Sequence, residues 1–277
     1  MMRHCITGVE FWLITITALA QGGPTAVGVS WSATDSPAYA IDVSTGQSVS
    51  LGLTGFLHLN SLAASSSGQL YSADDSRLVR IKPQGGVGDV AVSIGSNINL
   101  GTSIRGLAFS SNDVLYAINN GDPPDQAAGT PDPLYILDRV TGDAQLVGST
   151  GFAAIQGLDF GPDGALYAWD IFKGLLKVNP ATGLATDVNL AIGGTGDIQT
   201  IAFGPNGILY GACNGLYVIN PSTGAFTLSA SLGNLDIRGL DFVAEPSAGR
   251  LAAIAILGLI TYRSRSARPG LEPGTPR

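Results

Sequence analysis

The apolar positions of this chain fall in short runs, broken every few residues by Gly, Pro, Asn or Asp. Such runs are the length of strands, and the residues between them are turn formers. The runs also recur as a set. IQGLDFGPDGALYAWD (155–170) with LLKVNPATG (175–183) is matched by IQTIAFGPNGILYGAC (198–213) with LYVINPSTG (216–224). Looser copies are IRGLAFSSNDVLYAIN (104–119) with LYILDRVTG (134–142), and LNSLAASSSGQLYSAD (59–74) with RLVRIKPQGG (77–86). The Leu-Tyr pair returns at Tyr71, Tyr116, Tyr167 and Tyr210, at spacings of 45, 51 and 43 residues. Periods of 40 to 50 residues are those of propeller blades.

Each copy reads as four strands, A to D. Strand A ends on Phe109, Phe160, Phe203 or Phe242, and strand B carries Leu-Tyr. The A–B turns Gly161-Pro162-Asp163-Gly164 and Gly204-Pro205-Asn206-Gly207 combine a preset φ with a residue that tolerates positive φ. The C–D turns run Asp42 to Gly46, Asp138 to Gly142, Asn179 to Gly183 and Asn220 to Gly224. The first copy has no strand A, and IRGLDF (237–242) is a strand A with nothing after it. The C-terminal strand is therefore expected to complete the N-terminal blade. The expected fold is all-β: a propeller of five four-stranded blades, spanning 21–242, with its open edges joined. The phenylalanines and tyrosines are expected between blades. Ala64 stands where Phe is expected, so the second blade should pack differently.

Composition narrows the function. Between Gln21 and Ala244 there are 8 Lys/Arg against 18 acidic residues, all Asp, whereas the segment after Ser247 has five Arg and one Glu. An acidic body does not bind nucleic acid, whose affinity rests on neutralising phosphates. At the N-terminus, Arg3 and His4, an apolar stretch from Phe11 to Leu19 and Ala18-Leu19-Ala20 read as a secretory leader over 1–20; a buried first strand is the alternative. Its loss would leave Cys213 with no partner for an internal disulfide.

The repeats resemble exported bacterial propellers related to the NHL and YVTN repeat families, over roughly 27–242. After them, Val243-Ala244-Glu245-Pro246-Ser247, an apolar run from Leu251 to Tyr262, and Arg263, Arg265 and Arg268 resemble a PEP-CTERM sorting signal, expected over 243–268 with a disordered end at 269–277. Ala244 replaces the first Pro of that motif, and Arg250 interrupts its helix. The resemblance implies Glu245, Pro246 and Ser247 as the sorting motif, an exosortase-like processing enzyme as partner, and transient anchoring in the inner membrane of a Gram-negative cell before release to the surface, envelope or matrix. Twelve apolar residues span about 18 Å, short of a bilayer core, so a marginal permanent anchor is the alternative.

Two rings of polar residues are candidate sites. Asn60, Arg105, Gln156, Gln199 and Arg238 open successive strands A, where two guanidiniums and two amides suit an anionic or hydroxyl-rich ligand such as an acidic sugar. A solvated rim is the plain alternative. Asp74, Asn119, Asp170 and Asn214 close strands B; such oxygens suit Ca²⁺, though ordinary turn roles suit them equally. No other cofactor is implied. Asp159 and Asp241 replace Ala within strand A, either tuned for chemistry or bonded to a neighbouring turn. His58 is the one histidine after the leader, so a nucleophile–base pair lacks parts and no catalytic residue is assigned. Asn119 to Pro133 inserts a Pro- and Asp-rich loop. The resulting expectation is a non-catalytic propeller that binds matrix polysaccharide or another envelope component. The alternatives are a cation-dependent enzyme (a lactonase-like hydrolase or a polysaccharide lyase) and a structural surface protein without ligand.

Overall fold

The computed structural model describes residues 24–74, 77–82, 86–96, 104–120 and 130–243. The leader, the sorting motif and nearly all of the tail lie outside them, as do residues 121–129 of the inserted loop.

Among the described residues, twenty strands form five antiparallel sheets of four. Blade 1 consists of β20 (Ile237–Asp241), β1 (Thr25–Ser30), β2 (Pro37–Asp42) and β3 (Ser48–Leu53), in that spatial order. Blade 2 is β4 (Ala63–Ala64), β5 (Leu70–Asp74), β6 (Arg77–Ile81) and β7 (Asp89–Ser93). Blade 3 is β8 (Ile104–Phe109), β9 (Leu115–Asn119), β10 (Pro133–Leu137) and β11 (Ala144–Ser149). Blade 4 is β12 (Ile155–Phe160), β13 (Leu166–Asp170), β14 (Gly174–Val178) and β15 (Ala185–Asp187). Blade 5 is β16 (Thr200–Phe203), β17 (Leu209–Ala212), β18 (Gly215–Ile219) and β19 (Phe226–Ser231). The innermost strands β4, β8, β12, β16 and β20 touch in a closed cycle. The fold is a five-bladed β-propeller, joined where β20 pairs with β1 through Val27–Asp241, Gly28–Leu240 and Val29–Gly239.

A single sheet cannot bury both faces, so the core is divided among the junctions. Five clusters of buried side chains lie one at each blade–blade contact. Four contain the same aromatic pair, a strand-B Tyr against the strand-A Phe of the next blade. Ring centroids are 5.5 Å apart for Tyr71–Phe109 and Tyr116–Phe160, 5.3 Å for Tyr167–Phe203 and 5.7 Å for Tyr210–Phe242. Pairs of this kind contribute about 0.5–1.5 kcal/mol beyond their burial.

The junction of blades 1 and 2 is the exception. Val27 pairs with Asp241 as Tyr167 pairs with Asp159, and Ala64 pairs with Leu70 as Phe160 pairs with Leu166, so both aromatics are replaced. Val243 packs with Ala64 and Leu51 against the core there. Asp241 Oδ2 also accepts the Ala64 N–H at 2.6 Å, just as Asp159 Oδ2 accepts the Phe203 N–H at 2.6 Å. The two aspartates thus tie one inner strand to the next, where the sequence left a neighbouring turn as the partner.

Inner strands approach closely because three of them carry glycine at one position. A Cβ on Gly157 would lie 2.7 Å from Ile201 N, and on Gly239 2.5 Å from the Ser61 carbonyl carbon. One on Gly106 would meet Leu158 Cβ at 2.8 Å. Outer turns follow their sequence pattern: Asp42 and Asp138 side chains accept amides two residues on, while Gly46 and Gly142 have φ of 74°.

Candidate functional site at the channel mouth

In three blades the register slips by one residue where the inner strand begins. Ile155 pairs with Asp170 and Gly157 with Trp169, leaving Gln156 as the extra residue of a β-bulge. Arg105 lies between Ile104–Asn119 and Gly106–Ile118 in the same way, and Arg238 between Ser30–Ile237 and Val29–Gly239. Asn60 lies within the slip between the Leu59–Asp74 bridge and the Ala63–Tyr71 pair. The Gln199 N–H bonds Ala212 O at 2.8 Å although Thr200 is already paired with Ala212. A bulge re-aims its side chain out of the strand alternation. Three of the five predicted ring positions are therefore bulge residues, and Asn60 and Gln199 lie just before their inner strands.

Their side chains differ in commitment. Arg105 Nη1 donates to Asn60 Oδ1 at 2.9 Å, which joins two ring members across blades 2 and 3. Gln199 Nε2 donates to Gly196 O at 2.7 Å. Gln156 is 6% exposed, and its amide has no hydrogen-bond partner among the described residues. Arg238 is held by Asp236: Nε lies 3.1 Å from both carboxylate oxygens and Nη2 3.0 Å from Oδ2.

Around Arg238 stand residues that reasoning from the repeat did not reach. Its guanidinium carbon lies 5.4 Å from the Trp31 ring centroid, and Trp31 stacks on His58 at 5.2 Å with 13° between planes. Trp31 is 36% exposed, whereas Trp169 is fully buried and donates Nε1–H to Thr195 O. His58 takes φ of 55°, a left-handed conformation rare for a residue with a β-carbon. Nearby, Cys213 is buried and its thiol lies 3.2 Å from Asp236 Oδ1. Burial first, and then Asp236, push that thiol up to about 12, so it offers no thiolate at neutral pH.

Three of the four residues of the second predicted ring are bonded to local partners. Asp74 is buried against Arg77 in an ion pair. Asp170 Oδ1 accepts the Phe172 and Lys173 amides at 2.8 and 2.9 Å. Asn119 Oδ1 is buried with no partner among the described residues. Asn214 lies one residue past the matching position, which Cys213 fills, and donates Nδ2–H to Leu235 O at 2.9 Å. Ca²⁺ takes six to eight oxygens. Among the described residues no group of three His, Cys, Asp or Glu gathers to hold a metal.

Asp132, at the end of the inserted loop, is a further polar group that the sequence did not single out. It is 2% exposed and its Oδ2 accepts the Ile155 N–H at 2.8 Å, the contact that Ser36 Oγ makes with Leu59 N–H between blades 1 and 2. Burial, reinforced by the nearby Asp170 charge and opposed by that N–H, raises its carboxyl to about 7. Asp241 is likewise raised to about 7 by burial. Asp159 is raised well above the usual range by burial and by the charge of Asp241.

No family model and no curated protein matches this chain. Solved structures do. One chain of a nidogen/laminin complex is 12% identical over 79% of this chain and 98% of its own, with a TM-score of 0.51. Regucalcin, a calcium-binding protein of Agrobacterium tumefaciens, is 14% identical over 81% and 80%, at 0.50. A gluconolactonase of Xanthomonas campestris is 14% identical over 80% of both chains, at 0.49. The likeness is one of fold. Propellers host unrelated chemistries, so the site has to speak for itself.

Proposed function

We propose that this chain is a ligand-binding propeller whose channel mouth takes a hydroxyl-rich ligand of the carbohydrate type, from matrix polysaccharide or another envelope component. The observation that carries the reading is the shared position of Asn60, Arg105, Gln156, Gln199 and Arg238 at the start of the five inner strands, three of them on β-bulges. Amides and guanidiniums there supply donors and acceptors to hydroxyl groups, and the partnerless Gln156 amide is ready to exchange water for ligand. Export by the leader and sorting through Glu245, Pro246 and Ser247, with an exosortase-like enzyme as partner, belong to the same proposal. Calorimetry against a panel of oligosaccharides tests it: binding that Gln156→Ala and Gln199→Ala each weaken supports the mouth, and no binding across the panel overturns it.

A second reading, a lactonase-like hydrolase, has an observation of its own. Asp132 has a carboxyl that titrates near neutrality, as a general acid or base requires, and it lies beside Asp170. A gluconolactonase, whose activity is of this class, is among the proteins that share the fold. Turnover of a sugar-lactone panel that Asp132→Asn abolishes, with the melting temperature kept, would put it in first place.

A further inference from the structure

Arg238 is built differently from the other ring members. Asp236 clamps it through Nε and Nη2, while Nη1 has no partner among the described residues. Trp31 lies against the guanidinium and His58 against Trp31, so the head group is fixed in plane as well as in position. The left-handed backbone at His58 shows how far the chain departs from ordinary geometry to make this stack. A solvated rim arginine needs none of these supports. Arg105, the other cation of the ring, also faces the mouth region through its bond to Asn60. Two of the eight basic residues of an acidic body therefore fall within one ring of five. A fixed guanidinium with a free edge is the group that recognises a planar carboxylate.

We infer that Arg238 is the anchor for a carboxylate on the ligand, so that the mouth selects acidic carbohydrate, of the uronic acid type, over neutral sugar. The inference rests on the proposed carbohydrate site and names its ligand class. Trp31, His58 and Asp236 act as positioning residues: they hold the guanidinium so that little side-chain freedom is lost on binding.

The test compares one oligosaccharide in two forms, a galacturonic acid trimer and its methyl ester, titrated into the full chain. The acid should bind about tenfold more tightly, the difference that one charged hydrogen-bonded pair supplies. Arg238→Gln should erase that ratio, weakening the acid about tenfold more than the ester. Arg238→Lys keeps the charge without the fork and should recover little of it. His58→Asn, which tolerates the left-handed backbone but removes the stacked ring, should lower the ratio without touching the carboxylate directly; it serves should the Arg238 variants not fold. Equal binding of acid and ester, or a ratio unmoved by Arg238→Gln, overturns the inference and leaves the carbohydrate site standing. A sulfated neutral trimer that binds as tightly as the uronate overturns it too, by showing selection for charge alone. Absence of binding to all three sinks both readings.

Discussion

The pairing of β20 with β1 makes the sharpest prediction. Consider two shortened chains, one ending at Asp236 and one at Val243. The first loses Ile237 and Leu240, which are 0% and 1% exposed, together with half-buried Phe242 and Val243. Fully burying an aliphatic side chain of this size stabilises by about 1.5–3 kcal/mol, so the two together contribute about 3–6 kcal/mol. The Tyr210–Phe242 contact adds about 0.5–1.5 kcal/mol. Against a domain stability of about 5–15 kcal/mol, that is much or all of the margin. The loss also opens β1 to other chains, because its N–H and C=O groups no longer have β20 as partner. The chain ending at Asp236 should aggregate on size-exclusion chromatography or melt far below the parent by circular dichroism, and the chain ending at Val243 should melt with it. A milder version is Leu240→Ala, expected to cost about 2–5 kcal/mol and to lower the melting temperature by roughly 4–20 °C. If both shortened chains melted like the parent, or Leu240→Ala shifted it by less than about 2 °C, the claim that this strand holds the ring together would fail.

Three other outcomes are expected. Asp132, Asp159 and Asp241 have folded pKa values raised above the ordinary 3.8, so between about pH 4 and pH 7 the folded chain binds more protons than the unfolded one. Their contribution is present below the unfolded pKa and lost as pH rises through the folded one, while Asp113 and Asp138, lowered by turn and neighbouring amides, lose theirs only as pH falls below about 4. Melting temperature should therefore be higher near pH 5 than near pH 7.5, and the reverse order would contradict the burial of these acids. Gly157→Ala should destabilise by about 1–3 kcal/mol through its contact with the β16 backbone, whereas Gly196→Ala, with open space around it, should be near neutral in a urea titration. Expressed beside an exosortase, the chain should lose the mass of the segment following Val243; a peptide map that retains Tyr262 in the mature form would count against processing.

How much of this was legible in the sequence depends on whether a feature repeats. The C–D turns were legible in four of the five blades because each needs an Asp or Asn to accept amides and a Gly at positive φ, a constraint written in residue types. The Tyr–Phe pairs were legible for the same reason, and Ala64 marked the irregular junction by breaking the rule. The ring at the start of strand A was found by alignment, but the bulges that aim it were not, since any residue type can occupy the extra position and nothing in its chemistry announces it. Trp31, Asp236 and Asp132 occur in single copies, so comparison between repeats discards them as loop variation. Cys213 lost its place to Asn214 because residues were chosen by ligand chemistry rather than by strand register. The partner of Asp241 depends on how closely inner strands approach, which is set by Gly239 and its equivalents in three dimensions.

The joining strand has a consequence for timing. Trp31 and His58 are made early in synthesis and Arg238 near its end, and the stack that fixes the guanidinium exists only once β20 has been laid beside β1. A partly made or unclosed chain holds every other blade and still lacks its anchor. On the proposed reading, recognition of ligand therefore comes only with the strand that closes the ring, and a molecule that binds has already passed its own inspection.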